Sequence, residues 1–524
     1  MFRRLTILLI MLWTLPTMAL DYKLTSWATV GINGSFRIRA NSYYNPDLGQ
    51  GGHSGWKALK PGKTATWADM RLRLEPWIDA AGYAKIKMRL DVMDNFVFGS
   101  RASNPLESNV WSPSTAHRNS WKNAVRVKMV WAEVPVFERL ILYGGRMPDN
   151  FGLGILRNDG SGPDSDFGDS VDGVRARIRV THNLYFQFAW EMPYEGAVSG
   201  SPAKYMGPIF DLEQADDINR WVLLLDSKPT FPEDFEELAK QKARFDFGFY
   251  NALTKQGLSS ERLNKVIPYG CSAYAGARPF GIPYNCYTLS PRGAFIYNGS
   301  LWLRYWKKHH GWYFRFESEL TGQFGKIDHV QSFTKDSTSK TFLSFGAAVE
   351  LELKKDRHQG LFYFGAASGD NVPYFGVTDN YTFVGPDDRT YKLNPNYASN
   401  DTVTSFLFNR DYLIDSIMFR EVIGTVTNAV YFKPAYYYTA LNTGKHKLKI
   451  GGWLMIATAF NKAGTPGNAW FMGAEPGIGV DYSMGKHLKA SLTGSVLFPG
   501  AALNEPTGKA SIASGVRLRI TASF

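Results

Sequence analysis

Hydrophobic and polar residues trade places at every step in several stretches of this chain. Met70-Arg71-Leu72-Arg73-Leu74-Glu75 is one, and Ala84 to Val92 is another, with Lys85, Lys87, Arg89 and Asp91 in the polar positions. Val174 to Val180, with Arg175, Arg177 and Arg179, and Val516 to Ile520, with Arg517 and Arg519, repeat the pattern. A period of two puts the charged groups on one face of a β-strand and the apolar groups on the other. Soluble sandwiches also alternate, so the aromatic density of the apolar face discriminates. Phe186, Phe188 and Trp190 form one aromatic row, and Phe245, Phe247 and Phe249 form a second. Aromatic girdles at the lipid interfaces are expected of membrane barrels.

The pattern predicts about eighteen strands, near 28–39, 65–76, 82–93, 122–134, 139–147, 173–181, 183–192, 218–226, 243–253, 293–307, 312–323, 340–353, 361–369, 429–440, 446–460, 474–483, 487–498 and 511–523. Joins after even-numbered strands are mostly short, as at His182-Asn183, Asn442-Thr443-Gly444 and Gly485-Lys486. Joins after odd-numbered strands are mostly long, up to the segment between Gly369 and Ala429. Short periplasmic turns, long extracellular loops and an even strand count are how bacterial outer-membrane barrels are built. One join, 227–242, is long where a short turn is expected, and its Asp234 to Lys240 piece reads as a small capped helix, a periplasmic elaboration. The last residue is Phe524, preceded at alternate positions by Val516, Leu518, Ile520 and Ala522. This ending resembles the assembly signal read by the outer-membrane barrel insertion machinery, which makes that machinery an expected partner. The expected fold is all-β, a transmembrane antiparallel β-barrel in the bacterial outer membrane, with lipid around it.

The amino terminus and the composition agree with this. Arg3 and Arg4 precede an apolar run from Leu5 to Leu15, and Thr17-Met18-Ala19 forms a small-residue cleavage site. A run of about a dozen apolar residues is too short for a membrane helix and fits a cleaved signal peptide, here 1–19, leaving a single barrel domain over 20–524. The alternative is an uncleaved anchor. Aromatics make up 15% of the residues and glycines number 50, while only 20% are charged. After the leader no stretch approaches the roughly twenty apolar residues of a membrane helix. The formal charge is +12, and cleavage would remove Arg3 and Arg4. The only cysteines, Cys271 and Cys286, share the long join 254–292. In an oxidising compartment such a pair is expected to form a disulfide that stiffens a surface loop, free thiols being the alternative.

A charge on the lipid face costs about 2–4 kcal/mol at the midplane, so the alternating charges should face the lumen. That predicts a basic wall of Arg71, Arg73, Lys85, Lys87, Arg89, Arg126, Lys128, Arg175, Arg177, Arg179, Arg517 and Arg519, with Lys447, Lys449 and Lys489 also inward. Inward acids include Glu75, Asp91, Asp246, Glu317, Glu319, Glu350 and Glu352. An eighteen-stranded barrel is too wide for its side chains to fill, so it holds water, a plug or folded-in loops. Loop 148–172 is the natural constriction. Its acids Asp149, Asp159, Asp164, Asp166, Asp169 and Asp172 would face the basic wall and set up a transverse field, and charge at a constriction sets selectivity. The oxygen-rich run Asp159 to Asp166, within 159–172, could instead hold Ca²⁺, although its spacing is not that of an EF-hand, or the loop acids could be solvated with no special role. No other cofactor is implied.

The run Gly145-Arg146-Met147-Pro148-Asp149-Asn150-Phe151-Gly152-Leu153-Gly154, with Asp166-Phe167-Gly168-Asp169 after it, resembles the corresponding strand and constriction loop of general diffusion porins. Extended to Asn158-Asp159-Gly160, it is also similar to uncharacterised outer-membrane barrels of predatory and gliding bacteria. The resemblance implies that Asp159, Asp164, Asp166 and Asp169 are constriction acids and that the arginine wall is their counterpart. The strand number and the long seventh loop depart from the sixteen-stranded porins, so a trimer is not implied and the oligomeric state stays open.

No nucleophile elbow, phosphate loop or His-Glu-x-x-His run occurs, so an enzyme is not expected. Basic groups lining a lumen do not form an exposed stripe, so nucleic acid is not an expected partner. Trp302, Arg304 and Trp306, and Tyr431, Lys433, Ala435 and Tyr437, interleave aromatics with cations, a pattern that suits sugars, as in sugar porins and the eighteen-stranded alginate exporter; a place in the lipid girdle is the bland alternative. The expected function is passive passage of small anionic or acidic-sugar solutes. The rivals are a structural or adhesive barrel occluded by loop 370–428, in which 412–421 would form an amphipathic plug helix, and an outer-membrane hydrolase.

Overall fold

The computed structural model describes residues 22–23, 25–50, 64–99, 125–194, 215–262, 287–330, 338–372, 401–505 and 508–524, with short pieces at 110–112, 115–117, 198–199, 210–211, 375, 382–384 and 390–392. Eighteen long strands make the barrel. They are β1 (Thr29–Tyr44), β2 (Thr64–Ala80), β3 (Ala84–Val97), β4 (Val125–Phe137), β5 (Leu140–Pro148), β6 (Ser170–Thr181), β7 (Leu184–Tyr194), β8 (Ile218–Asp226) and β9 (Ala243–Arg262). The remainder are β10 (Tyr287–His309), β11 (Trp312–Val330), β12 (Thr338–Lys355), β13 (His358–Ala367), β14 (Ala429–Asn442), β15 (His446–Ala459), β16 (Phe471–Met484), β17 (Leu488–Pro499) and β18 (Ala513–Ser523). Each pairs antiparallel with the next. β18 pairs with β1 from Ser35↔Ser523 to Tyr44↔Ser514, which closes the sheet and leaves no edge. Tyr22–Lys23 adds a short piece to β1, and Thr402–Val403 runs parallel to β12.

Alternation decides which side chain goes where. Phe245, Phe249, Leu301, Leu320, Leu343, Leu454, Ile478 and Leu492 are all exposed on the outside. Their strand neighbours Asp246, Trp302, Glu319, Ser344, Met455 and Glu475 are buried inside. A belt of exposed apolar groups around the whole wall is far more than a water-facing surface carries, and closure satisfies every ladder hydrogen bond internally, as lipid demands. The chain is a transmembrane barrel of the bacterial outer membrane.

Each predicted strand is present, and several are longer than predicted. β9 and β10 pair as far as Arg262↔Tyr287, so the loop between them shrinks to 263–286. Cys271, Cys286 and the leader 1–19 lie outside the described residues. The long join after β8 carries α1 (Pro232–Lys240), with Glu233 and Asp234 in its first turn and Lys240 in its last, an arrangement that complements the helix dipole. The plug helix predicted over 412–421 is not formed. A single π-helical turn stands at Met418–Ile423 instead. Asp415 takes the amides of Phe419 and Arg420, and Gly424, at φ 99°, ends the turn in the left-handed region. The amides that would continue a helix are thus committed to side chains, and the turn stops where glycine permits a reversal.

Candidate functional site

Two loops fold into the lumen: L3 (149–169), between β5 and β6, and the described residues of L7 (368–428), between β13 and β14. L3 crosses from β5 to the far wall. Phe151 packs on Tyr250 of β9, with ring centroids 5.3 Å apart. Just beyond, Glu319 of β11 accepts the amides of Leu153 (2.7 Å), Gly154 (3.0 Å) and Ile155 (3.3 Å). Gly152 (φ 57°) and Gly154 (φ 88°) create this turn, and a Cβ on Gly152 would meet the Glu319 carboxylate at 2.5 Å. Successive amides converging on one carboxylate form an anion nest.

L3 then meets the arginines. Asp166 sits between Arg37 (2.7 Å) and Arg39 (2.8 Å) of β1, all three buried. Asp164 pairs with Arg519 (3.0 Å) and lies within 3.4 Å of Arg420 in L7. Asp159 approaches Arg89 at 3.7 Å, and the carbonyls of Gly160 and Ser165 accept from Arg73 and Arg71. Burial alone would raise the pKa of Asp166, but Arg39 and Arg37 hold it far below the usual carboxylate range. Arg420, Arg519 and Arg517 do the same for Asp164 against the same effect of burial. The expected field between separated acids and bases therefore takes a different form: loop and wall are in contact, and their charges cancel locally.

L7 locks onto L3 and onto the opposite wall. The Asp411 carboxylate accepts the amides of Asp166 (2.8 Å) and Gly168 (2.7 Å), while Asn409 donates to Asp169 (2.6 Å). Burial, with Asp149 and Asp411 nearby, pushes the Asp169 pKa up to about 6. On β16, Glu475 accepts the amides of Ser416 (2.9 Å), Ile417 (3.2 Å) and Met418 (3.0 Å), a second nest. Around these polar anchors Phe406, Phe408, Ile417, Met418 and Phe419 pack with Ile155 against Tyr431 and Met455 of the inner wall. Glycines let the rings lie flat: a Cβ on Gly365 would meet the Tyr431 ring at 2.4 Å.

Nine of the twelve predicted wall residues touch a carboxylate. The pairs are Arg73–Asp91 (2.7 Å), Lys87–Glu133 (2.7 Å), Arg89–Glu75 (2.7 Å), Lys128–Asp94 (3.0 Å) and Arg175–Glu191 (2.9 Å). Arg177–Asp226 (2.7 Å), Arg179–Glu233 (3.0 Å), Arg517–Glu421 (3.1 Å) and Arg519–Asp164 (3.0 Å) complete them. Of the others, Arg71 donates to Ser165, Lys85 lies 4.2 Å over the Trp77 ring, and Arg126 stands opposite Asp91 in register. Asp149 lies 2.6 Å from Arg220 of β8. Asp172 does not join the constriction. It belongs to β6, on the outer face that exposes Val174, and pairs there with Arg146 at 2.6 Å; strand alternation, not the loop, sets its direction. Among the described residues no three His, Cys, Asp or Glu gather as metal ligands, and the loop acids are directed at guanidinium groups and amides.

Sequence reasoning missed Arg37, Arg39, Arg220, Asp411 and Glu475. Phe36-Arg37-Ile38-Arg39 carries the same alternation as the other arginine strands and was legible. Asp411 and Glu475 act through backbone amides brought together by the fold, and no spacing announces that.

The periplasmic mouth is partly covered by the join that carries α1. Lys228 lies 4.5 Å over the Trp302 ring, Arg179 lies 4.4 Å over Phe231, and the Tyr185 hydroxyl donates to buried Asp234. Beside it opens a cavity of about 720 Å³, lined in part by Lys85, Lys87, Glu133, Arg179 and Phe231.

No protein-family model matches the sequence, and a search of curated proteins finds no match. Solved structures do match along nearly the whole chain. OccK9 (OpdG) of Pseudomonas aeruginosa is 12% identical with a TM-score of 0.48, covering 95% of this chain and 98% of that one. OpdK of the same species, solved with vanillate, is 11% identical with a TM-score of 0.47, covering 94% and 98%. A BenF-like porin of Pseudomonas fluorescens Pf-5 is 8% identical with a TM-score of 0.47 and the same coverage. By its own strand pairing and apolar exterior, this chain is an eighteen-stranded outer-membrane barrel with loops folded into its lumen.

Proposed function

We propose that the protein is a porin-like channel for passive passage of small solutes, preferentially anionic or acidic-sugar ones, narrowed by L3 and L7. One observation carries this reading. The barrel is too wide for its own side chains to fill, and the wall facing its interior is charged, with arginines on β1, β2, β6, β8, β10, β11 and β18. A barrel serving only as a membrane anchor has no need of a charged interior, because buried charges are expensive wherever they are not fully paired. The periplasmic mouth also keeps open space, in the cavity beside α1.

A second reading, a barrel sealed by L7 whose outer loops do the work, is favoured by the apolar packing of Phe406, Phe408 and Phe419 against the inner wall. Single-channel recording of purified protein in a planar bilayer separates the two. Steady conductance with anion preference supports the channel. Absence of current, with current appearing once 405–425 is deleted, overturns it in favour of the sealed barrel.

A further inference from the structure

A cluster of lumen lysines stands apart from the ion pairs of the wall. Where L3 touches the wall, arginines meet aspartates of the loop. Toward the periplasmic end of β15 to β18 the pairing stops. Inward positions on these strands form two rows in register. One row is Lys447, Ser483, Lys489 and Thr521, and the next is Lys449, Asp481, Ser491 and Arg519. Four cations thus share one acid, and Asp481 already accepts from the Ser491 hydroxyl at 2.5 Å. Arg519 reaches up to Asp164. Lys449 donates to Gln359, a neutral partner, at 2.8 Å. Among the described residues Lys447, Lys449 and Lys489 make no ion pair, and Lys447 and Lys489 are exposed to the lumen.

Two further features point to a ligand. Thr521, nine-tenths buried and in register between Lys489 and Arg37, has a hydroxyl with no hydrogen-bond partner. Lys447 and Lys489 are two strands apart, about 10 Å between Cα atoms at the usual strand spacing. Lysine side chains are long enough for both ammonium groups to reach a common oxyanion between them, with the Ser483 and Thr521 hydroxyls as added donors.

We infer that Lys447, Lys449 and Lys489, with Ser483 and Thr521, form an anion-binding station on the periplasmic side of the lumen for small solutes carrying one or two carboxylates. The station, and not the arginine wall at L3, sets the charge preference of the channel; this rests on the proposed channel function. A solute arriving here exchanges water for ammonium and hydroxyl donors. The one fixed carboxylate it meets, Asp481, is already engaged by the Ser491 hydroxyl, whereas Arg37, Arg39 and Arg519 at L3 are each held by an aspartate of the loop.

The test is succinate binding to the detergent-purified full-length protein, measured by isothermal titration calorimetry, with bilayer recording in parallel. The Lys447→Gln, Lys489→Gln double variant is compared with Lys307→Gln, Lys355→Gln, which removes the same charge from the outer face of the same rim. Both pairs are surface positions, and heat-modifiable migration on a detergent gel verifies that each variant is folded. The station predicts saturable succinate binding weakened at least about tenfold in the first double variant and unchanged in the second. In the bilayer it predicts an anion-to-cation permeability ratio lowered several-fold in the first variant only. No saturable binding to the wild type, or equal affinity in both variants, overturns the station. Binding that follows the prediction without any current overturns the channel and leaves the station standing.

Discussion

Asp166 is the residue on which the loop-against-wall arrangement turns, and Asp166→Asn tests it. Its carboxylate is buried between Arg37 and Arg39 at 2.7 and 2.8 Å. At an effective dielectric of about 20, each such contact is worth roughly 6 kcal/mol of Coulomb attraction, most of it offset by the desolvation of the three charges. Removing one partner of a buried pair costs about 3–5 kcal/mol. The lower figure applies, because Asp69 stays 3.1 Å from Arg39 and 3.9 Å from Arg37. A loss of ~3 kcal/mol shifts the balance between docked and released L3 by roughly a hundredfold. Two changes should appear together in single-channel recordings. The current should become larger and noisier as L3 leaves the wall, and the reversal potential in a salt gradient should move toward anions as Arg37 and Arg39 lose their counter-charge. A folded variant with wild-type conductance and an unmoved reversal potential would show that the ion pairs do not hold L3.

Glu475→Gln should release the L7 turn, since the amide keeps only one acceptor oxygen for the Ser416, Ile417 and Met418 amides; at about 1–3 kcal/mol, protease cutting within 412–424 should become easier, and wild-type resistance would count against the nest. Asp169 gives a pH signature: its pKa is raised from 3.8 to about 6 by burial, so its contribution to L3–L7 docking is complete below about pH 4 and fades as pH rises through 6. Current noise should therefore fall on acidification across that window, and Asp169→Asn should abolish the change. Gly365→Ala should cost about 1–3 kcal/mol by overpacking the Tyr431 ring, read as a lower temperature for losing the compact band on a detergent gel. Arg177→Met strands Asp226 in a buried position and should lower the same temperature by more than loss of the exposed Arg146–Asp172 pair, whose worth is at most about 1 kcal/mol.

Much of the barrel was legible in the sequence, because a period of two is a local property and lipid enforces it. A single misplaced charge on the outside is costly, so every crossing strand announces its faces, and eighteen such segments with alternating short and long joins fix a closed antiparallel sheet. Strand ends were less legible: β9 and β10 pair on to Arg262↔Tyr287, through Thr254-Lys255-Gln256-Gly257-Leu258-Ser259-Ser260-Glu261, where no alternation of apolar and polar residues marks the faces. The basic wall could be read for the same reason as the strands. Its electrostatic meaning could not, since that depends on which carboxylates are brought within 3 Å. Arg37 and Asp166 are far apart in the chain, Glu319 captures the amides of L3, and Asp411 and Glu475 capture those of L3 and L7. Backbone amides are the same at every residue, so no sequence pattern marks where a nest will form. The sequence by itself determined a wall with its charges facing inward. Only the tertiary structure decided which of those charges are cancelled by the loops and which, at Lys447 and Lys489, stand without a carboxylate partner among the described residues, because cancellation acts over a few ångströms of space and not along the chain.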